Sequence, residues 1–184
     1  MSEKVYIFLA DGFEEIEGLT VVDILRRASV DIEMVSITGS RSVRGSHGIC
    51  VEADRLFEGN ELADGAMYVL PGGMPGTRYL GEHEGLCALL KNAKAQGRIV
   101  AAICAAPTVL GKLGLLLGEK ATCYPGREEE LTGAQVLFDE VVESGQMITS
   151  RGMGTAIPFA LALTARLKGK ETADRLEAGI VYRQ

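Results

Sequence analysis

Short unbroken apolar runs alternate along this chain with longer stretches in which apolar residues return every three or four positions. The first kind suits buried strands, the second suits helices with one apolar face. The pattern predicts a buried strand over 4–10, a turn at Asp11 and Gly12, and a helix over 14–28. That helix carries Ile16, Leu19, Val22 and Leu25 on one face and closes on Arg26 and Arg27. A second strand is predicted over 32–37. The glycines at 45 and 48 make 42–51 a hairpin or irregular ribbon.

Further on, 66–70 reads as a third core strand ended by Pro71, Gly72 and Gly73, and 84–96 as a helix closed by Gly97. A strand over 98–103 runs straight into a helical stretch over 105–116. A strand over 147–150 and a largely apolar helix over 155–168 follow. Strands alternating with helices give a parallel sheet. The expected fold is therefore α/β: a three-layer, flavodoxin-like sandwich with a mainly parallel central sheet and helices on both faces, formed as one domain over 1–184. Sites in such folds sit at the carboxyl ends of the strands. Three such ends stand out: the acidic stretch from Asp11 to Glu17, the turn from Pro71 to Gly73, and Cys104 with Ala105 to Pro107.

Composition narrows the partners. With 19 basic and 25 acidic residues the net charge is −6, which argues against nucleic acid or an anionic membrane. No apolar stretch approaches the roughly 20 residues that span a bilayer, and no signal segment is visible. The four cysteines, Cys50, Cys87, Cys104 and Cys123, show no paired spacing, so free thiols in a reducing cytosol are expected. Metal-ligand spacing is lacking, as is any nucleotide fingerprint, so no metal and no cofactor are expected. The stretch from Arg151 to Thr155 reads as a structural turn.

Cys104 is the residue most suggestive of chemistry. It stands between a strand and a helix, among Ala101, Ala102, Ala105 and Ala106, which leave room for the tight elbow that exposes a nucleophile. Pro107 suits the first turn of the helix. The positive end of that helix is expected to lower the thiol pKa. A buried core cysteine fits the same pattern.

Four ordered motifs carry a resemblance: Asp-Gly-Phe-Glu-Glu-Ile-Glu (11–17), Leu-Pro-Gly-Gly (70–73), Ala-Ala-Ile-Cys-Ala-Ala-Pro (101–107) and Thr-Ser-Arg-Gly-Met-Gly-Thr (149–155). With them the chain resembles the ThiJ/PfpI superfamily, from about residue 4 to about residue 181. Within it the nearest branch is that of the parkinsonism-associated protein deglycase and its bacterial relatives. The resemblance implies that Cys104 is the nucleophile and that Glu17 is the carboxyl group bonded to its sulfur, kept protonated by the neighbouring negative charge. It also implies that the amides of Gly73 and Ala105 hold an oxyanion. Glu14 and Glu15 are alternatives to Glu17, with solvent at a helix start as their ordinary lot. A homodimer is implied as well, with Cys50 in a region often found at its interface.

Two departures from the family pattern narrow the chemistry. Ala105 stands where the protease branch has a histidine, and Cys123 and Tyr124 precede Pro125 where animal members of the deglycase branch place a histidine before the proline. A cysteine–histidine protease is therefore disfavoured. Three readings follow. The first is a cofactor-free deglycase or glyoxalase acting on a small reactive carbonyl or its adduct. The second is a redox sensor or stress chaperone using oxidation of Cys104, with Cys123 either a resolving thiol or simple apolar filler. The third, a role in thiamine-thiazole synthesis, has no motif behind it.

Overall fold

The computed structural model describes residues 4–183. Seven strands form the central sheet. In chain order they are β1 (Val5–Leu9), β2 (Ile32–Ser36), β5 (Arg55–Leu56), β6 (Met67–Leu70), β7 (Ile99–Ile103), β10 (Val141–Ser144) and β11 (Met147–Ser150). They lie in the order β10-β11-β7-β6-β1-β2-β5, and every pair is parallel except β10 with β11. Two small ribbons lie outside it: the antiparallel hairpin β3 (Ser42–Arg44) with β4 (Cys50–Glu52), and β8 (Lys120–Ala121) with β9 (Gln135–Val136).

The sheet is buried on both faces, as a mainly parallel sheet must be. Side chains alternate between the faces, so one strand feeds two cores. Val5, Ile7 and Leu9 of β1 join one core, whereas Tyr6 and Phe8 join the other. The first core lies under α1 (Glu15–Arg27) and α5 (Ala156–Lys168), with α6 (Lys170–Gly179) beside α5. The second lies under α2 (Gly76–Glu82), α3 (Glu84–Ala95) and α4 (Pro107–Lys112). This is the expected three-layer α/β sandwich. None of the described helices is long and apolar enough to cross a membrane.

Most predicted elements fall within a residue or two of their observed bounds. The helical stretch over 105–116 is the exception. Helix α4 is only six residues long, because Gly114 at φ +73° ends it in a left-handed turn. Beyond that turn Leu115 and Leu116 pack into the second core, whereas Leu117 is exposed. Helices α2 and α6, the edge strand β10 and the short strands β5, β8 and β9 were not predicted.

The sheet order places the site. From β1 the chain passes through α1 to β2 on one side, and later crosses to β6 on the other side of β1. The loops leaving β1, β6 and β7 therefore open into the crevice at the switch point, where ligands of open α/β sheets bind.

Candidate active site

Three backbone devices bring the site together. Cys104 follows β7 with φ +66°, a left-handed conformation that a residue bearing a Cβ adopts only at a cost of about 1–3 kcal/mol. Hydrogen bonds fix it on both sides: its N–H donates to the Ser150 carbonyl at 3.0 Å, and its own carbonyl accepts from Tyr124 N–H at 2.7 Å. This strained elbow between β7 and Pro107, the first residue of α4, matches the sequence expectation.

The second device is the turn after β6. The Gly72 carbonyl accepts from the amide of Glu14 at 2.8 Å, and the Gly72 N–H donates to Glu17 Oε2 at 2.9 Å. Gly73, at φ +92°, has no room for a side chain, since a Cβ there would lie 2.3 Å from Glu14 N. The third device is the start of α1, which turns Glu17 inward until it is 1% exposed.

Glu17 and Cys104 meet in that crevice. The carboxyl group hydrogen-bonds the thiol, and the backbone amides of Gly73 and Ala105 also point at the sulfur. Burial pushes the Glu17 carboxyl up to about 7, against opposing hydrogen bonds from Cys104 and Gly72, with Glu14 adding a smaller like-charge effect. The direction is the one expected, but desolvation rather than like charge is the main cause. Cys104 corrects an expectation. Burial, then the charge of Glu17, push its thiol up to about 12 rather than down. Helix α4 is too short and begins too late to oppose this, starting three residues after the sulfur. The two groups thus form a coupled pair in which burial and mutual repulsion both oppose the loss of the last proton.

The other acids do not behave as solvated helix-start residues. Glu15 is 4% exposed and grips the tip of the β3–β4 hairpin. Its Oε1 accepts from His47 N at 2.8 Å and Ile49 N at 3.4 Å, while its Oε2 accepts from Ser46 Oγ at 3.2 Å and lies 3.1 Å from His47 Nδ1. Burial alone would raise the Glu15 carboxyl, but these bonds and its own amide outweigh it and hold it at about 2. Glu14 is partly buried, with its Oε2 3.5 Å from His47 Nδ1. The potential metal-ligating atoms of Glu14, Glu15 and His47 lie within 4.8 Å of one another, yet both Glu15 oxygens are spent on the hairpin.

The family model for the DJ-1/PfpI family matches residues 3–166 of this chain. The protein dj-1beta of Drosophila melanogaster is 36% identical over 183 residues, covering 98% of each chain. The chain belongs to the DJ-1/PfpI family. A second relative, the glutathione-independent glyoxalase DJR-1.2 of Caenorhabditis elegans, is 33% identical over 165 residues, covering 89% of this chain and 87% of its own. Among solved structures, oxidized Toxoplasma gondii DJ-1 superposes with a TM-score of 0.93 at 38% identity, covering 98% of this chain and 99% of that one.

Against this DJ-1/PfpI fold the remaining candidates find their places. Cys123 is 1% exposed, and its thiol reaches the Tyr124 carbonyl at 3.4 Å, which suits apolar filler. Cys50 is exposed on the hairpin and Cys87 half-buried on α3. The turn at 151–155 is structural: Thr155 Oγ1 accepts from the amides of Arg151 and Gly152 at 3.2 and 3.1 Å. One site residue escaped the sequence reading. Gly152 brings this turn against the ring of Tyr124 and against Glu17 Oε1, and a Cβ there would stand 3.5 Å from the one and 4.0 Å from the other. A shallow hollow of about 250 Å3 beside it is lined by Tyr124, Pro125 and Met153.

Proposed function

We propose that this protein is a cofactor-free glyoxalase or deglycase that acts on small reactive carbonyls through Cys104. The observation that carries the reading is the buried, hydrogen-bonded Glu17–Cys104 pair, held against two backbone amides. In the reactive form the proton lies on Glu17 and the charge on sulfur, where the amides of Gly73 and Ala105 stabilise it. The glyoxalase name of the nematode relative supports the same chemistry.

On an α-oxoaldehyde the sulfur attacks the aldehyde carbon. The carbonyl electron pair moves to oxygen, which the two amides hold, each worth on the order of 3 kcal/mol in such a role. That oxygen takes the Glu17 proton, giving a hemithioacetal and a carboxylate. The carboxylate removes the proton from the former aldehyde carbon and returns it to the neighbouring carbon, while the hydroxyl proton passes from the first oxygen to the second, leaving a thioester of the 2-hydroxy acid. Water then hydrolyses the thioester, releasing a 2-hydroxy acid and restoring the protonated pair. A deglycase would begin from the amine or thiol adduct of the same carbonyl.

The test is methylglyoxal turnover by the wild type, Cys104→Ser and Glu17→Gln. The reading expects turnover in the first and its loss in the others, and full activity in Cys104→Ser contradicts it.

A second reading draws on the oxidized state of the Toxoplasma relative. Peroxide would take Cys104 to a sulfinate, and the carboxyl group and amides around it would hold the new oxygens. Peptide mass spectrometry after peroxide decides it: selective modification of Cys104 over Cys87 supports the sensor, and equal modification removes it. For either role we propose a homodimer, on the family resemblance, and a cytosolic setting, on the unpaired cysteines. Ile16 on α1 and Ile49 on the hairpin, half exposed at 50% and 54%, give such a dimer an apolar surface.

A further inference from the structure

A cleft of about 390 Å3 separates α2 from α4 and reaches Met74, next to Gly73 in the loop that faces the cysteine sulfur. Its size is that of a small-molecule site. Its charge runs against that of the molecule. Arg78, Lys112 and Arg127 line it against one carboxylate, Glu82, on a chain whose net charge is −6. Glu130 braces two of these cations from the rim, with Arg127 Nε donating to Oε1 at 2.9 Å and Lys112 Nζ lying 3.5 Å from Oε2. The brace engages only one of the guanidinium nitrogens, so the fork that recognises an oxyanion stays available.

Thr77 supplies an independent observation. It also lines the cleft and is 3% exposed, yet its hydroxyl has no hydrogen-bond partner among the described residues. Thr108 on the opposite wall spends its hydroxyl on the Ala105 carbonyl at 2.8 Å. A buried hydroxyl without a partner calls for an explanation, and an absent ligand is one. The cleft is also tied to the site. The Thr77 amide donates to the Gly73 carbonyl at 2.9 Å, so its walls hang on Gly73 and Ala105, whose amides face the Cys104 sulfur.

We propose that this cleft is a subsite for a small oxyanion, a carboxylate or phosphate group, at the far end of a carbonyl compound that reacts at Cys104. Arg127 and Lys112 pair with the anion, and the Thr77 hydroxyl donates to it. The inference rests on the carbonyl chemistry proposed above and narrows its substrates to acidic ones.

The experiment has two arms, neither of which needs turnover. Inorganic phosphate is titrated into the wild type, Lys112→Gln, Arg127→Gln and Thr77→Val by calorimetry. Saturable binding is expected, weakened about tenfold by either charge removal, the worth of one charge-assisted hydrogen bond. Thr77→Val replaces an unpartnered hydroxyl by a methyl group, so it is expected to keep its melting temperature while still losing affinity. In the second arm, Cys104 is alkylated with iodoacetate and with iodoacetamide, which differ in the anionic group. The ratio of the two rates is expected to fall in Lys112→Gln and Arg127→Gln. Absent phosphate binding, binding that the substitutions leave unchanged, or an unchanged ratio overturns the subsite. Phosphate binding and a shifted ratio in a protein that does not turn over methylglyoxal uphold the subsite and remove only the glyoxalase reading.

Discussion

The amide of Gly72 donates to Glu17 Oε2 at 2.9 Å, and the same residue lacks a side chain where a Cβ would stand 2.6 Å from that oxygen and 2.6 Å from Cys104 Cβ. Gly72 is thus at once a hydrogen-bond partner of the acid and the space into which acid and thiol close.

Gly72→Ala should therefore separate the pair. A displacement of about 1 Å costs on the order of a hundredfold in rate at a site of this kind. Methylglyoxal kcat/KM is expected to drop by that order, with a parallel drop in the alkylation rate of Cys104 near neutral pH. Retention of both would show that the crevice has slack which the geometry denies.

The strained elbow gives a second prediction. At φ +66° any residue with a Cβ is penalised relative to glycine. Of two inactive variants, Cys104→Gly is expected to be more stable than Cys104→Ala by about 1 kcal/mol, measured by urea unfolding. The reverse order would mean that the backbone relaxes once the sulfur is gone.

Two carboxylates give opposite slopes of stability with pH. Glu17, raised to about 7 from an ordinary 4.5, contributes stability that is fully present below 4.5 and is lost as pH rises through 7. Glu15, lowered to about 2, contributes stability that is present above 4.5 and is lost as pH falls towards 2. Melting temperatures from pH 2 to 8 should show Glu17→Gln flattening the neutral limb and Glu15→Gln flattening the acid limb. An acid limb unchanged in Glu15→Gln would contradict the assignment.

The hairpin contact carries its own test. A Cβ at Gly45 would lie 2.3 Å from the Glu15 carboxyl carbon, so Gly45→Ala must push the hairpin tip off that acid. Hydrogen bonds to a buried charge are worth about 1.5–3 kcal/mol each, and a loss of stability of that order is expected. Hydrogen exchange at the amides of His47 and Ile49 should quicken with it.

Much of this was legible in the sequence because the signals were local. Five apolar runs marked five sheet strands, and small residues around Cys104 marked the elbow. What stayed hidden depended on the closed fold. Glu15 reads as a solvated acid at a helix start until the hairpin, 30 residues on, folds over it. Helix α2 has Gly76 and Gly81 within seven residues, a composition that argues against a helix, and it forms where it packs against α3, α4 and β1. The sign of the Cys104 shift was also out of reach, since it depends on burial and on the facing carboxylate rather than on the residues beside the thiol.

The central claim is that Glu17 and Cys104 titrate as one coupled pair, and the most direct measurement is the alkylation rate of Cys104 against pH in the wild type and in Glu17→Gln. The wild-type rate is expected to rise with an inflection near 7, where the pair becomes anionic. In Glu17→Gln the inflection should move above the ~8.5 of a free thiol, because a buried thiol must then ionise alone. Superimposable profiles for the two proteins would contradict the account.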